Sequence, residues 1–295
     1  MDSQDPHQPK LRVHRVSKRF GGSAYALRDV SLSVAKGEMV GLLGASGSGK
    51  STLIRTIAGL VRIDQGEGRI DLDGQAIQAA GDYAPAIRAI RRRTGVVFQQ
   101  FNLVGQLSVI SNVLVAAAPR VSLWRALTGH FPRAERLLAL EALSAVGLQS
   151  QAWQRASTLS GGQAQRAALA RTLVQGAELL LADEPVASLD PESARKVMEQ
   201  IRMLNQTGGM TVVVSLHQVQ IARRYCPRII ALKHGELVYD GPTAGLDDAG
   251  LRELYGSEAE DLFEEVVTPA NPRTLRATEH VSSAMPIAIA LSPNP

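Results

Sequence analysis

The sequence predicts an α/β fold, a mixed and largely parallel sheet that presents polar residues at its strand ends. Three observations carry the prediction. A glycine-rich loop, Gly44-Ala45-Ser46-Gly47-Ser48-Gly49-Lys50-Ser51-Thr52, lies between an apolar run (Met39 to Leu43) and a helix-like pattern (Thr52 to Ala58). The short aliphatic runs Gly95 to Phe98, Leu179 to Ala182 and Thr211 to Ser215 each stop abruptly at polar residues. Aromatic residues make up only 4%, so aliphatic side chains must fill the core, as they do in parallel sheets covered by helices.

The bulk numbers set limits. The chain has 295 residues, enough for one large domain or two small ones, and its 45% hydrophobic content is ordinary for a globular protein. The net charge of +4 suits a nucleotide or an anionic membrane surface and is too weak to argue for nucleic acid. Cys226 is the only cysteine, which excludes an internal disulfide and fits a small buried side chain in a reducing compartment. Met1 to Lys10 is polar and lacks the apolar core of a signal peptide. No uncharged apolar run reaches bilayer-spanning length, so any work at a membrane requires a partner to supply the spanning helices.

Taken in order, Leu11 to Val16 alternates as a strand, and Ala26 to Val34 reads as a second. Lys36-Gly37 turns into the strand that feeds the glycine-rich loop, and the helix after the loop stops near Gly59. Arg69 to Leu72 is a strand closed by Asp73-Gly74, a strong turn signal. Short antiparallel strands therefore accompany the core at this end. Arg88 to Arg93 reads as a solvated basic helix face. Gly95 to Phe98 is a buried strand that delivers Gln99 to Asn102 to its carboxyl end, where α/β proteins bind ligands. About 105 to 150 reads as helical, with Leu137, Leu140, Leu143 and Val146 as an apolar stripe over Arg133 to Leu148. Ser160 caps a helix running from Ala164 to Val174, and Asp190 caps one over Glu192 to Leu204. Thr211 to Ser215 is a core strand, Arg228 to Tyr239 a hairpin turning at His234-Gly235, and Leu246 to Tyr255 a last short helix. The composition loosens beyond Gly256. Segments 1–10 and 257–295 are expected to flank the domain as extensions, the second poorly ordered.

The chemistry follows from residue types at these positions. The loop fits the pattern G-x-x-x-x-G-K-[ST], in which glycines let successive N–H groups converge on phosphate oxygens. Lys50 supplies a point charge for the β- and γ-phosphates, and the Ser51 hydroxyl is a natural Mg²⁺ ligand. Asp183 and Glu184 end an aliphatic strand, which is the second half of a phosphate-loop nucleotidase. Asp183 can hold Mg²⁺ through water, and Glu184 can orient or deprotonate an attacking water. The helix start at Ser160-Gly161-Gly162-Gln163 is a second place for an anion or an ordinary capped helix. His217, at the end of a strand, is placed either to bond a γ-phosphate or to serve the fold.

Together these motifs resemble the ATP-binding subunit of an ATP-binding-cassette (ABC) transporter over about Leu11 to Tyr255, in the family's order. The resemblance implies a P-loop NTPase core with an antiparallel β subdomain and a helical subdomain at about 100–165. It makes Gly44 to Ser51 the Walker A loop, Gln99 the Q-loop glutamine and Mg²⁺ ligand, and Leu159 to Gln163 the signature. Asp183 ends Walker B, Glu184 is the catalytic glutamate, Ser188-Leu189-Asp190 the D-loop and His217 the switch histidine. An aromatic residue stacks on adenine in this family; Phe20 matches best, with Tyr25 next. The resemblance further implies a head-to-tail homodimer, each ATP lying between one chain's Walker A loop and the other's Ser160 to Gln163. Transmembrane permease subunits, a periplasmic solute-binding protein reached through them, and a peripheral place on the cytoplasmic face of the inner membrane follow. The permease would dock on about Phe101 to Asn112. A finer resemblance, to phosphonate-importer ATPases, rests on Gln99 to Val104, Gln154 to Leu159, Ala182 to Asp190, Ser215 to Val219 and Arg224 to Cys226. Gln163-Ala164-Gln165-Arg166 departs from it, since relatives usually repeat glutamine. Gln99 to Leu103 also occurs in cassettes for amino acids or lipoproteins. A soluble cassette of DNA repair or translation would bring a coiled-coil insertion or tandem cassettes, neither of which is present. A regulator without hydrolysis is opposed by Glu184 and His217.

Overall fold

The computed structural model describes residues 8–255. The tail expected at 257–295, and the first seven residues of the N-terminal extension, lie outside them. Eleven strands and nine α-helices are formed among the described residues.

The antiparallel sheet begins with β1 (Leu11–Arg19) and β2 (Tyr25–Val34). After β3 (Met39–Leu43), the chain returns to it as β4 (Arg69–Leu72), β5 (Gln75–Ala79) and β6 (Asp82–Tyr83), giving the order β2-β1-β4-β5-β6. The β4–β5 turn is Asp73-Gly74, with φ of 47° and 73°. Positive φ at both central residues is what a tight two-residue hairpin needs, and Asp-Gly supplies it at little cost.

The second sheet collects β7 (Thr94–Phe98), β8 (Leu179–Asp183), β9 (Thr211–Ser215), β10 (Arg228–Lys233) and β11 (Glu236–Pro242) around β3, in the order β11-β10-β3-β9-β8-β7. All its pairings are parallel except the edge hairpin β10–β11. Both faces are covered, which explains the unbroken apolar runs. Side chains alternate between two cores. Val40, Leu42, Leu179, Leu181, Val213, Ile230 and Leu232 face the antiparallel sheet and α1 (Lys50–Ile57). Met39, Leu43, Leu180, Ala182, Val212, Val214, Ile229 and Ala231 face the helices on the other side.

Those helices are α6 (Gly161–Gln175), α7 (Pro191–Gly208), α8 (Val219–Tyr225) and α9 (Asp248–Tyr255), following α2 (Ile87–Arg92) and a lobe of α3 (Val109–Leu114), α4 (Leu123–Thr128) and α5 (Arg133–Ala145). Two expectations change. On α5 the buried face is Ala139, Ala142 and Leu143, continued by Val146, while Leu137 is exposed; small residues let α5 approach α6 closely. The basic run is not simply a solvated face, because Arg93 turns onto Glu178 and Asp73 and Arg91 reaches the carbonyl of Gly59. Strands β5 and β6 and helix α8 had no expectation at all. Gln75–Ala79 is poor in β-branched residues and forms a strand because β4 offers it an edge.

Candidate active site

The parallel strands end in one row. Phe98 pairs with Asp183, Asp183 with Ser215, and Ser215 with Leu42, so the ends of β7, β8, β9 and β3 lie side by side. The carboxyl edge of such a sheet is where α/β folds bind ligands.

The loop from β3 to α1 opens on that edge. Gly44 (φ 144°) has no room for a side chain, since a Cβ there would sit 2.2 Å from the Leu232 carbonyl oxygen. At Gly49 (φ 106°) it would sit 2.4 Å from the carbonyl of Ala26. A Cβ at Gly47 would meet nothing within 4 Å, so the mouth of the loop is open. Helix α1 begins at Gly49 without a side-chain cap, leaving its first-turn amides directed at an incoming anion. Lys50 is buried, its Nζ donating to the carbonyls of Gly44 (2.6 Å) and Ala45 (3.1 Å). The loop curls round its own lysine, the shape a phosphate-binding cradle needs.

Across the sheet edge, the Ser51 hydroxyl donates to Asp183 Oδ1 at 2.9 Å. Ser215, fully buried, donates to the same oxygen at 3.0 Å and accepts the Glu184 backbone N–H at 2.9 Å. One hydroxyl thus fixes both acidic residues. Glu184 has φ 50°, a strained conformation for glutamate. Its Oε1 meets His217 Nε2 at 2.6 Å. Sequence reasoning passed over Ser215, although its signal was present as the polar end of a β-branched strand.

Ser51, Gln99, Asp183 and Glu184 line one cavity of about 370 Å³, with Arg55, Gln100 and Asn102 as further polar walls. A hydroxyl, an amide carbonyl and a carboxylate are hard oxygen donors. They fit Mg²⁺, which takes its remaining ligands from phosphates and water. The first amide of the loop is also anchored: Gly44 N–H donates to the Tyr255 hydroxyl on α9 at 3.3 Å. The sequence gives no sign of this contact across the domain.

Ser160, Gly161, Gly162 and Gln163 do not line this cavity. They start α6 with a reciprocal capping box, in which Ser160 Oγ accepts from Gln163 N–H and Gln163 Oε1 accepts from Ser160 N–H. A groove beside them is lined by Gln99, Phe101, Leu159 and Ser188. Asp190 caps α7 by accepting from Ser193 N–H at 3.0 Å. Phe20 is exposed beside Lys18, while Tyr25 lies between Arg19 and Arg28. Cys226 is buried, and burial pushes its thiol up to about 12.

A glycine cradle at a strand–helix junction, facing a serine-tied aspartate and a histidine-paired glutamate, defines a phosphate-loop nucleoside triphosphatase. The sequence pattern of the ABC transporter family matches residues 27–187. The chain belongs to that family, binds ATP and is an ATPase coupled to transport.

Among its relatives, phosphonates import ATP-binding protein PhnC 1 of Cupriavidus metallidurans is 56% identical over 260 residues, covering 88% of this chain and 92% of that one. PhnC 2 of Cupriavidus necator is 52% identical over 280 residues, covering 93% and 99%. Among solved structures, the ATP-binding cassette MJ0796, dimeric in a post-hydrolysis state bound to ADP and Pi, matches with TM-score 0.67 and 34% identity. It covers 80% of this chain and 99% of that one. Cassette cbiO1 of Clostridium perfringens, part of the cbiONQ complex, matches with TM-score 0.71 and 26% identity, covering 88% and 100%.

Proposed function

We propose that this chain is the ATP-hydrolysing subunit of a phosphonate importer. The chemical half of the reading is carried by the line from Ser51 through Asp183 and Ser215 to Glu184 and His217. The substrate half is carried by relatives, named as phosphonates import ATP-binding proteins, that match nearly the whole chain.

In this reading the backbone amides of Gly44 to Thr52 and the Lys50 ammonium hold the β- and γ-phosphates of ATP. Glu184 takes up the proton of the attacking water, or orients it, as the water meets the γ-phosphate in line. His217 holds Glu184 and contacts the γ-phosphate, and Gln99 senses it. Ser51, Gln99 and, through water, Asp183 would hold Mg²⁺, which would supply neutralisation of phosphate charge. Phe20, or Tyr25 beside it, stacks on adenine.

Ser160 to Gln163 line no part of the catalytic cavity of their own chain. A second copy packed head to tail would bring them onto its neighbour's ATP, with Ser188 and Asp190 at the seam. MJ0796, which is dimeric with ADP and Pi, supports this assembly. The closed dimer is favoured only while ATP binds it better than it binds the open form. Permease subunits supply the membrane path and dock on the Phe101 to Asn112 side. A periplasmic binding protein delivers solute, and the chain sits peripherally on the cytoplasmic face of the inner membrane. No helix among the described residues is long and apolar enough to cross a membrane. A strain deleted for this chain should fail to grow on a phosphonate as sole phosphorus source and grow normally on phosphate. Normal growth on both would refute the phosphonate assignment.

A further inference from the structure

The helical lobe carries a surface that ATP hydrolysis does not use. On α4, Leu123, Trp124 and Leu127 are 74%, 74% and 75% exposed. Spaced i, i+1 and i+4, they share one side of the helix. Helix α4 is fixed rather than frayed: Gly129 closes it with φ 71°, and His130 N–H donates back to the Arg125 carbonyl at 3.0 Å. Beside it lies an open groove of about 480 Å³ whose walls include Arg125, His130, Phe131, Arg136 and Trp153 on the side of α4, and Ser108, Ile110 and Ser111 where it borders the segment proposed for the permease. Trp153 is 64% exposed, so both tryptophans of the chain stand exposed in this lobe, Trp124 on α4 and Trp153 in the groove beside it. Large apolar side chains gathered on one exposed face mark a contact site, whereas scattered ones need no explanation.

The charge around the face is mostly basic. Between residues 115 and 140 the basic side chains are Arg120, Arg125, Arg133 and Arg136, and the only acid is Glu135. Glu135 is already taken by Arg120, whose Nε and Nη2 donate to it at 3.0 and 2.7 Å. Arg125 and Arg136 therefore face the groove with no carboxylate among its lining residues.

We infer that this face rests on the anionic headgroup surface of a lipid bilayer. Tryptophan favours the membrane interface, where its ring is half solvated. A short helix with leucine and tryptophan on one side and arginine at its flank is suited to lie in the interfacial plane. Guanidinium groups pair with lipid phosphates, and each adds attraction to an anionic leaflet. The catalytic cavity shares no lining residue with this groove, so the contact leaves ATP access free. The inference rests on the reading of the chain as a peripheral membrane subunit. It gives that subunit its own hold on lipid, besides any hold on a permease.

The test uses the full chain and vesicles of phosphatidylglycerol with phosphatidylcholine, or of phosphatidylcholine alone. Trp153→Phe leaves Trp124 as the only tryptophan. Its emission should shift to the blue on mixing with the anionic vesicles and stay unchanged with the neutral ones. Replacing Leu123, Trp124 and Leu127 together by serine should abolish co-sedimentation. The Arg125→Ala, Arg136→Ala pair should weaken it by roughly tenfold or more. Both variants should hydrolyse ATP as the parent does, which also verifies their folding. No anionic binding by the parent, equal binding to neutral vesicles, or undiminished binding by the serine variant would each overturn the inference. So would a serine variant that keeps vesicle binding but no longer co-purifies with permease, which would make the face a protein contact. Absence of ATP hydrolysis in the parent would instead count against the proposed function and leave the lipid result standing.

Discussion

Glu184 Oε1 lies 2.6 Å from His217 Nε2, and the pair stands beside the cavity that Ser51, Gln99 and Asp183 line. The contact orients the Glu184 carboxylate, whose side chain itself lines that cavity, and an oriented carboxylate suits a group that positions water. Glu184→Gln keeps the shape and removes the base. ATP binding should persist in this variant, while kcat falls by roughly a hundredfold or more. Turnover at the parental rate, measured by phosphate release, would remove Glu184 from the mechanism.

Ser215 is the second test of the same site. Its hydroxyl accepts the Glu184 N–H and donates to Asp183 Oδ1, and it is fully buried. Ser215→Ala strands a buried donor and a carboxylate lone pair, at a cost of about 1–3 kcal/mol. We expect a lower thermal midpoint together with a reduced kcat, because Glu184 holds φ 50° only while its amide is tied. A variant that loses stability and keeps full kcat would confine Ser215 to the fold.

These residues also show how far the sequence could be read. The loop at Gly44, the acids at 183 and 184 and the cap at Ser160 were legible because each announces itself within a few residues: a spacing, a strand end, a capping box. Strand β9, with five buried residues, was legible for the same reason. What escaped was set by distance in the chain. Ser215 matters because β8 and β9 run in register, and Gln75–Ala79 is a strand only because β4 lies next to it. On α5, Ala139 and Ala142 are buried beside the expected Leu143 and Val146 while Leu137 is exposed, since the nearness of α6 shifts the buried face from the one periodicity alone marks.

Tyr255 extends that lesson to the phosphate loop. Its buried hydroxyl accepts the Gly44 N–H, 211 residues away. Tyr255→Phe keeps the ring and removes the acceptor, so the first amide of the loop loses about 1 kcal/mol of support. ATP affinity should fall several-fold with kcat little changed, because the loop binds ground and transition states alike. Unaltered nucleotide affinity by titration calorimetry would make Tyr255 a packing residue only.

The shared-site reading stands on Ser160. It is exposed and lines no part of its own chain's cavity. Ser160→Arg places a bulky cation where the partner's nucleotide would lie. In the Glu184→Gln background, MgATP should drive the parent to a dimer on a sizing column and leave the double variant monomeric. Nucleotide binding by the monomer should be equal in both. Equal dimerisation would refute a site completed by a second copy.

Acid stability gives a prediction independent of catalysis. Glu178 immediately precedes the strand that ends at Asp183, and it is held by Arg93 at 2.9 and 2.8 Å and by buried Lys10. Lys10 and Arg93 also bind Asp73 in the turn of the antiparallel sheet, so this cluster joins the two sheets. Hydrogen bonds from Arg93, and then from Lys10, hold the Glu178 carboxyl down at about 2, from an ordinary value of 4.5. A carboxylate more acidic in the folded state than in the unfolded one stabilises the fold while both states are ionised, and loses that effect as protons return. The contribution of Glu178 is therefore complete above pH 4.5 and disappears as pH falls toward about 2. Glu178→Gln should melt at a lower temperature than the parent near neutral pH, and the gap should close progressively on acidification through that window. The side chain is half exposed, so salt should narrow the gap as well. A gap independent of both pH and salt would mean that packing of the side chain, and not its charge, links the two sheets.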